Sequence, residues 1–104
     1  MPKFIEVGLL EDIPQLGSRV IETDQGRIAI FRTSDDEVFA LADACPHKGG
    51  PLSQGIVHGK RVTCPMHNWV FELQSGEAVA PDEACAARYP VQLESGKIYL
   101  SLEK

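Results

Sequence analysis

Two short segments, Cys45-Pro46-His47 and Cys64-Pro65-Met66-His67, hold the residues of this chain best equipped for chemistry. They read C-x-H and C-x-x-H, with sixteen residues between them. Each supplies one thiol and one imidazole. Two thiolates and two imidazoles are the donor set of a [2Fe–2S] centre in which cysteines hold one iron and histidines the other. On that reading Cys45 and Cys64 bind the inner iron, and His47 and His67 bind the outer iron, nearer the surface. With two ferric ions, two sulfides and two thiolates the oxidised centre is formally neutral, and reduction leaves one negative charge. The chemistry would be transfer of one electron at a time.

Structural zinc uses the same Cys2His2 inventory, but its usual pairs put like with like, C-x(2–4)-C and H-x(3–5)-H. Here each pair is mixed, and C-x-H is tight for a zinc knuckle. A chain with no metal at all is the other alternative, and two mixed pairs that both begin Cys-Pro set it against chance. Pro46 and Pro65 fix φ and remove a backbone donor beside each proposed ligand, which stiffens both loops. Gly49, Gly50 and Gly55 allow the first loop a close approach without side-chain obstruction. A stiff, pre-shaped site suits electron transfer, because little has to rearrange when the charge changes.

The elements that must position these loops are short β-type runs: Phe4 to Leu9, Arg19 to Thr23, Arg27 to Arg32, Val38 to Ala42, Arg61 to Thr63, Trp69 to Leu73, Tyr89 to Leu93 and Lys97 to Leu102. Turn residues separate them at Asp24-Gln25-Gly26, Ser34-Asp35-Asp36, Ser75-Gly76 and Ser95-Gly96. The first and last of these should close hairpins, and Glu11-Asp12-Ile13-Pro14 has room for a single helical turn. The pattern predicts an all-β fold, an antiparallel β-sandwich or small barrel. The stretch from about Ala42 to Pro81 differs in character, since it contains both metal motifs, five of the nine glycines and four of the seven prolines. It is expected to form a cluster-binding subdomain inserted into a β base, the whole chain 1–104 being one domain.

Composition narrows the function. A chain of 104 residues supports one modest core. A formal charge of −5 disfavours a nucleic-acid partner and fits a carrier steered to a basic docking patch. No stretch approaches the apolar length of a membrane span, and the start of the chain lacks a secretory pattern. Three cysteines make a disulfide framework unexpected, with Cys85 left over, and a reducing cytoplasm suits that usage. There is no nucleotide-binding glycine fingerprint. Only His58 remains outside the motifs, too few histidines for a mononuclear iron site. No residue is assigned a catalytic role. The chain alone is expected to be an electron carrier without a substrate site.

Beyond the ligands themselves, the segments Cys45-Pro-His-Lys-Gly-Gly-Pro-Leu52, Gly55-Ile-Val-His-Gly59, Cys64-Pro-Met-His-Asn-Trp-Val-Phe71, Gly76-Glu-Ala78 and Pro81-Asp-Glu83 carry a resemblance that covers essentially the whole chain. The chain resembles the Rieske [2Fe–2S] family, and within it the small subunits of assimilatory NAD(P)H-dependent nitrite reductases. The resemblance implies a large-subunit partner carrying FAD, a [4Fe–4S] centre and sirohaem, with NAD(P)H supplying electrons to reduce nitrite to ammonium. Some members of that branch lack the ligands, whereas all four are present here. The other reading within the family is a free Rieske ferredoxin that serves an aromatic-ring-hydroxylating oxygenase.

Respiratory members of the family add a disulfide between the loops, and they place Ser and Tyr two and four residues after the second ligand histidine. The corresponding places here hold Gly50 or its neighbours, Met66, Trp69 and Phe71, so those hydroxyl bonds to sulfur are missing. The reduced state is then less stabilised, and a potential of roughly −150 mV or somewhat above is expected. His58, on a Gly-flanked stretch, is read as a solvated loop residue. Cys85, among acidic neighbours, is read as inert. Trp69 is expected to pack between the loops and the base. Lys48 is either a partner contact or a positive field that favours the reduced centre, or else a solvated loop lysine, and Asp82 and Glu83 are read as solvated.

Overall fold

The run Ile28-Ala29-Ile30-Phe31 has no polar alternation, and a strand of that kind needs cover on both faces. The computed structural model describes residues 4–24, 26–43, 52–64, 69–79 and 86–102, and it supplies that cover. The strands are β1 (Phe4–Leu9), β2 (Ser18–Thr23), β3 (Gly26–Arg32), β4 (Val38–Ala42), β5 (Ile56–His58), β6 (Arg61–Thr63), β7 (Val70–Glu72), β8 (Arg88–Tyr89), β9 (Val91–Glu94) and β10 (Lys97–Ser101). They form three antiparallel sheets, ordered β1-β10-β9, β2-β3-β4-β8 and β5-β6-β7. The fold is the all-β, antiparallel sandwich expected from the sequence. No described helix is long and apolar enough to cross a membrane.

Strand periodicity sends alternate residues of β3 and β4 into two separate cores. Ile28, Ile30 and Ala40 pack with Ile13, Tyr89, Ile98 and Leu100, on the side of the β1-β10-β9 sheet. Ala29, Phe31 and Leu41 pack with Val57, Val62 and Phe71 of the β5-β6-β7 sheet, together with Leu52, Cys64, Leu73 and Ala86. The four-stranded sheet is therefore the shared wall of both cores. Its inner residues are fully buried, and each large apolar side chain so buried contributes about 1.5–3 kcal/mol relative to exposure.

The turn chemistry is as expected. Thr23 pairs with Gly26 at the end of the β2–β3 hairpin, where Gly26 has φ +101°. Ser95 and Gly96 both take positive φ, 50° and 77°, as a two-residue hairpin between β9 and β10 demands. The helical turn is a single 3-10 turn at Leu10–Asp12, closed by the Ile13 N–H to the Leu10 carbonyl.

Two sequence expectations change. The run Tyr89 to Leu93 is two strands, not one: β8 pairs with β4 and β9 pairs with β10. Pro90 lies between them. Lacking an N–H, it cannot continue a ladder, and the chain changes sheets there. Its carbonyl still accepts the Ser101 N–H. The second change is β5, which went unpredicted. The Ile56-Val57 pair is β-branched but only three residues of strand form, with Gly55 before and Gly59 after. Gly59, at φ +59°, makes the turn into β6. His58 is thus the last residue of a strand and not part of a loop.

Candidate metal centre

Cys64 is the one proposed ligand among the described residues; Cys45, His47 and His67 lie outside them. It follows β6 directly, and its N–H donates to the Trp69 carbonyl at 2.6 Å. That bond extends the β6–β7 ladder one step past the Thr63–Val70 pair, so the segment 65–68 leaves from and returns to a paired backbone. Cys64 is fully buried in the core with Leu52, Val62 and Phe71. A buried soft thiol at the root of a hairpin fits an iron–sulfur ligand, since the surrounding shell keeps water from the metal. It is equally a zinc donor, and the family must decide between the metals.

The segment 44–51, with Cys45, His47 and Lys48, leaves from a different kind of base. Asp43, 9% exposed, follows β4. Its N–H donates to the Arg27 carbonyl at 2.9 Å. Its two carboxylate oxygens accept from a single residue on the far side of the segment: Oδ1 from the Ser53 N–H at 2.7 Å, Oδ2 from the Ser53 Oγ at 3.0 Å. Ser53 is held in turn by Ser18 of β2, whose Oγ donates to the Ser53 carbonyl at 2.7 Å. Beside it Leu52 is fully buried, in a 3-10 turn that runs to Gln54 and ends with the Gly55 N–H on the Leu52 carbonyl.

Gly55 was expected to ease the first loop's approach to a metal. Among the described residues it has a role against β6. A Cβ there would collide with the Thr63 carbonyl oxygen, so only glycine lets this chain lie against β6 immediately before Cys64. Gly76 serves a similar purpose after β7, at φ +80°, where a Cβ would meet the Ala86 carbonyl. It donates to the Glu72 carbonyl and accepts the Ala86 N–H, both at 2.7 Å, which ties the far flank of segment 80–85 to β7; the near flank is held by the Val79 N–H on the Val70 carbonyl at 2.8 Å. Asp82, Glu83 and Cys85 lie outside the described residues.

Trp69 is half-buried against the core that holds Cys64, its ring tilted 38° to Phe71 at 6.4 Å. His58 is exposed, and its Nε2 shares a 2.7 Å hydrogen bond with Thr63 Oγ1, one residue before Cys64. Among the described residues no three His, Cys, Asp or Glu side chains converge on one point. Asp43, Ser53 and Ser18 were missed by sequence reasoning. Asp43 stands two residues before Cys45, but nothing in the spacing announces a partner ten residues on.

Residues 3–90 match the Rieske [2Fe–2S] domain. The 3-phenylpropionate/cinnamic acid dioxygenase ferredoxin subunit of Photorhabdus laumondii is 33% identical over 97 residues, 91% of this chain and 90% of that protein. A crystal structure provisionally assigned as an NADH-dependent nitrite reductase small subunit from Mycobacterium tuberculosis superposes with a TM-score of 0.89. It covers 100% of this chain and 98% of that one, at 21% identity, and so speaks to fold alone. A second crystal structure, provisionally assigned as the small subunit of an NADPH nitrite reductase, reaches TM-score 0.82 at 25% identity, over 94% of this chain and 97% of the other.

Proposed function

Because this chain belongs to the Rieske [2Fe–2S] domain family, we propose that it is the electron-carrying small subunit of an NAD(P)H-dependent nitrite reductase. The [2Fe–2S] cluster of the family supplies reversible one-electron chemistry. Cys45 and Cys64 hold it as thiolates, and His47 and His67 hold it as imidazoles nearer the surface. The buried Cys64 at the root of the β6–β7 hairpin supports that assignment. The segment of about 42–81 works as the cluster-binding subdomain of a single domain, and the protein acts in the cytoplasm beside its partner.

The observation that carries the nitrite-reductase reading is the wording around the ligands, Lys48-Gly-Gly-Pro51 and His67-Asn-Trp69. The 25% identity to the NADPH nitrite reductase small-subunit structure supports it. The partner would be the large subunit, with FAD, [4Fe–4S] and sirohaem. The second reading, a ferredoxin feeding a ring-hydroxylating oxygenase, is favoured by one specific finding: the 33% match to a dioxygenase ferredoxin subunit extends along nearly the full length of both chains.

Affinity purification of the tagged chain from nitrate-grown cells separates the two. Recovery of a large partner with sirohaem absorption bands is the expected result. A brown protein that elutes alone, and reduces an oxygenase terminal component in vitro, overturns the first reading in favour of the second.

A further inference from the structure

We infer that Asp43 is a positioning residue for the first ligand loop. Its carboxylate, fastened to Ser53, fixes the span across which segment 44–51 departs and returns, and so holds Cys45 and His47 to the cluster. The inference rests on the ligand assignment proposed above.

Three observations carry it. A carboxylate only 9% exposed is costly unless its oxygens are bonded, and here both accept from the same residue across the loop. Both ends of the clasp are themselves anchored, Asp43 through its N–H on the Arg27 carbonyl and Ser53 through its carbonyl on Ser18 Oγ. The segment between them reads Ala-Cys-Pro-His-Lys-Gly-Gly-Pro, which offers no large apolar side chain to anchor it in a core. Among the described residues, Asp43 is the one whose side chain spans the two ends of this segment.

The test uses the full-length, cluster-loaded protein and follows bleaching of its visible absorption in excess EDTA, alongside far-ultraviolet circular dichroism and the urea midpoint. Ser53→Ala removes one donor and is expected to speed bleaching about threefold; Asp43→Ala removes both bonds and is expected to speed it at least about tenfold. The double variant should bleach no faster than Asp43→Ala, because the two residues act as one unit. Ser53→Thr, which keeps both donors, should restore a rate within about twofold of the unmodified protein. A purely structural role would instead make bleaching track the urea midpoint across all variants, and that result overturns the inference. If Asp43→Ala does not fold, Ser53→Ala decides: faster bleaching with an unchanged urea midpoint supports the clasp, and an unchanged rate overturns it. Cys45→Ser is the control. If it still binds the cluster, the ligand assignment fails and the inference with it. If it is colourless while Asp43→Ala bleaches at the unmodified rate, the inference alone fails.

Discussion

The two segments assigned to hold the cluster leave the fold from unlike bases. Segment 65–68 is closed by backbone: the β6–β7 ladder runs up to the Cys64–Trp69 bond, and every residue type except proline can make such a bond. Segment 44–51 is closed by side chains, the Asp43 carboxylate on Ser53 and the Ser18 hydroxyl behind it. The difference matters for how each loop can fail. A side-chain closure can be deleted by one substitution that leaves every strand intact. A backbone closure yields only to changes that disturb the sheet. The base under the first segment is accordingly the one that a single substitution can open, and the base under the second is the fixed one.

The comparison breaks most completely at Cys64. Cys64→Ser keeps the backbone bond to Trp69 but replaces a thiolate donor with a hydroxyl in an apolar core. The expected result is a colourless protein with β-rich circular dichroism and no bound iron. A brown Cys64→Ser protein would show that the hairpin root is not where the cluster is held.

Leu52 asks whether the first loop's base also has an apolar anchor. It is fully buried among Phe71, Val62 and Cys64, next to the clasp. Leu52→Ala should cost about 3 kcal/mol of unfolding free energy in urea. A loss under about 1 kcal/mol would mean that the site collapses easily and that the side-chain bonds close the loop unaided.

Gly55 joins the two bases, because it lies on the Thr63 backbone just before Cys64. Gly55→Ala forces β6 and the 3-10 turn apart, at about 2 kcal/mol. It should also speed loss of the cluster, since it disturbs both loops together. An unchanged urea midpoint would mean that the two halves slide past one another freely and would remove the sense in which the second is fixed.

Much of the fold was legible before the structure. The hairpin turns announce themselves by glycine and by short polar residues at Asp24 and Ser95, while the four proposed ligands are a reading of residue type and spacing, of which Cys64 alone lies among the described residues. The shared wall of the two cores was readable in part, since Ile28 to Phe31 is apolar on both faces. What could not be read depends on tertiary partners. The three-residue strand β5 exists because β6 pairs with it, not because Ile56-Val57-His58 has enough propensity to form a strand alone. The break at Pro90 required knowing that β8 and β9 belong to different sheets. The clasp joins residues ten apart that share no motif, and only the folded chain brings their polar atoms together.

The smallest expected effect lies away from both loops and checks that the β base can be perturbed without them. Asp36 sits in the β3–β4 turn with φ 62°, a conformation that Asp and Asn tolerate. Its Oδ1 accepts from Gln15 Nε2 at 3.1 Å and from Arg32 Nε and Nη2 at 3.0 and 2.8 Å. The Gln15 hydrogen bond, then Arg32, hold its carboxyl below the ordinary Asp value of 3.8. A carboxylate whose pKa is lower folded than unfolded stabilises the fold above its unfolded value, and the contribution is lost as pH falls through the folded one. Asp36→Asn keeps the shape and the turn but removes the charge. Its urea midpoint should therefore fall slightly short of the unmodified protein's at pH 7, the gap narrowing below about pH 4 and closing on further acidification. Because Asp36 is half-exposed the gap will be small, and added salt should shrink it. Bleaching by EDTA at pH 7 should not change. A gap that widens on acidification would reverse the sign of the argument, and altered bleaching would mean that the base and the first loop are coupled through β3.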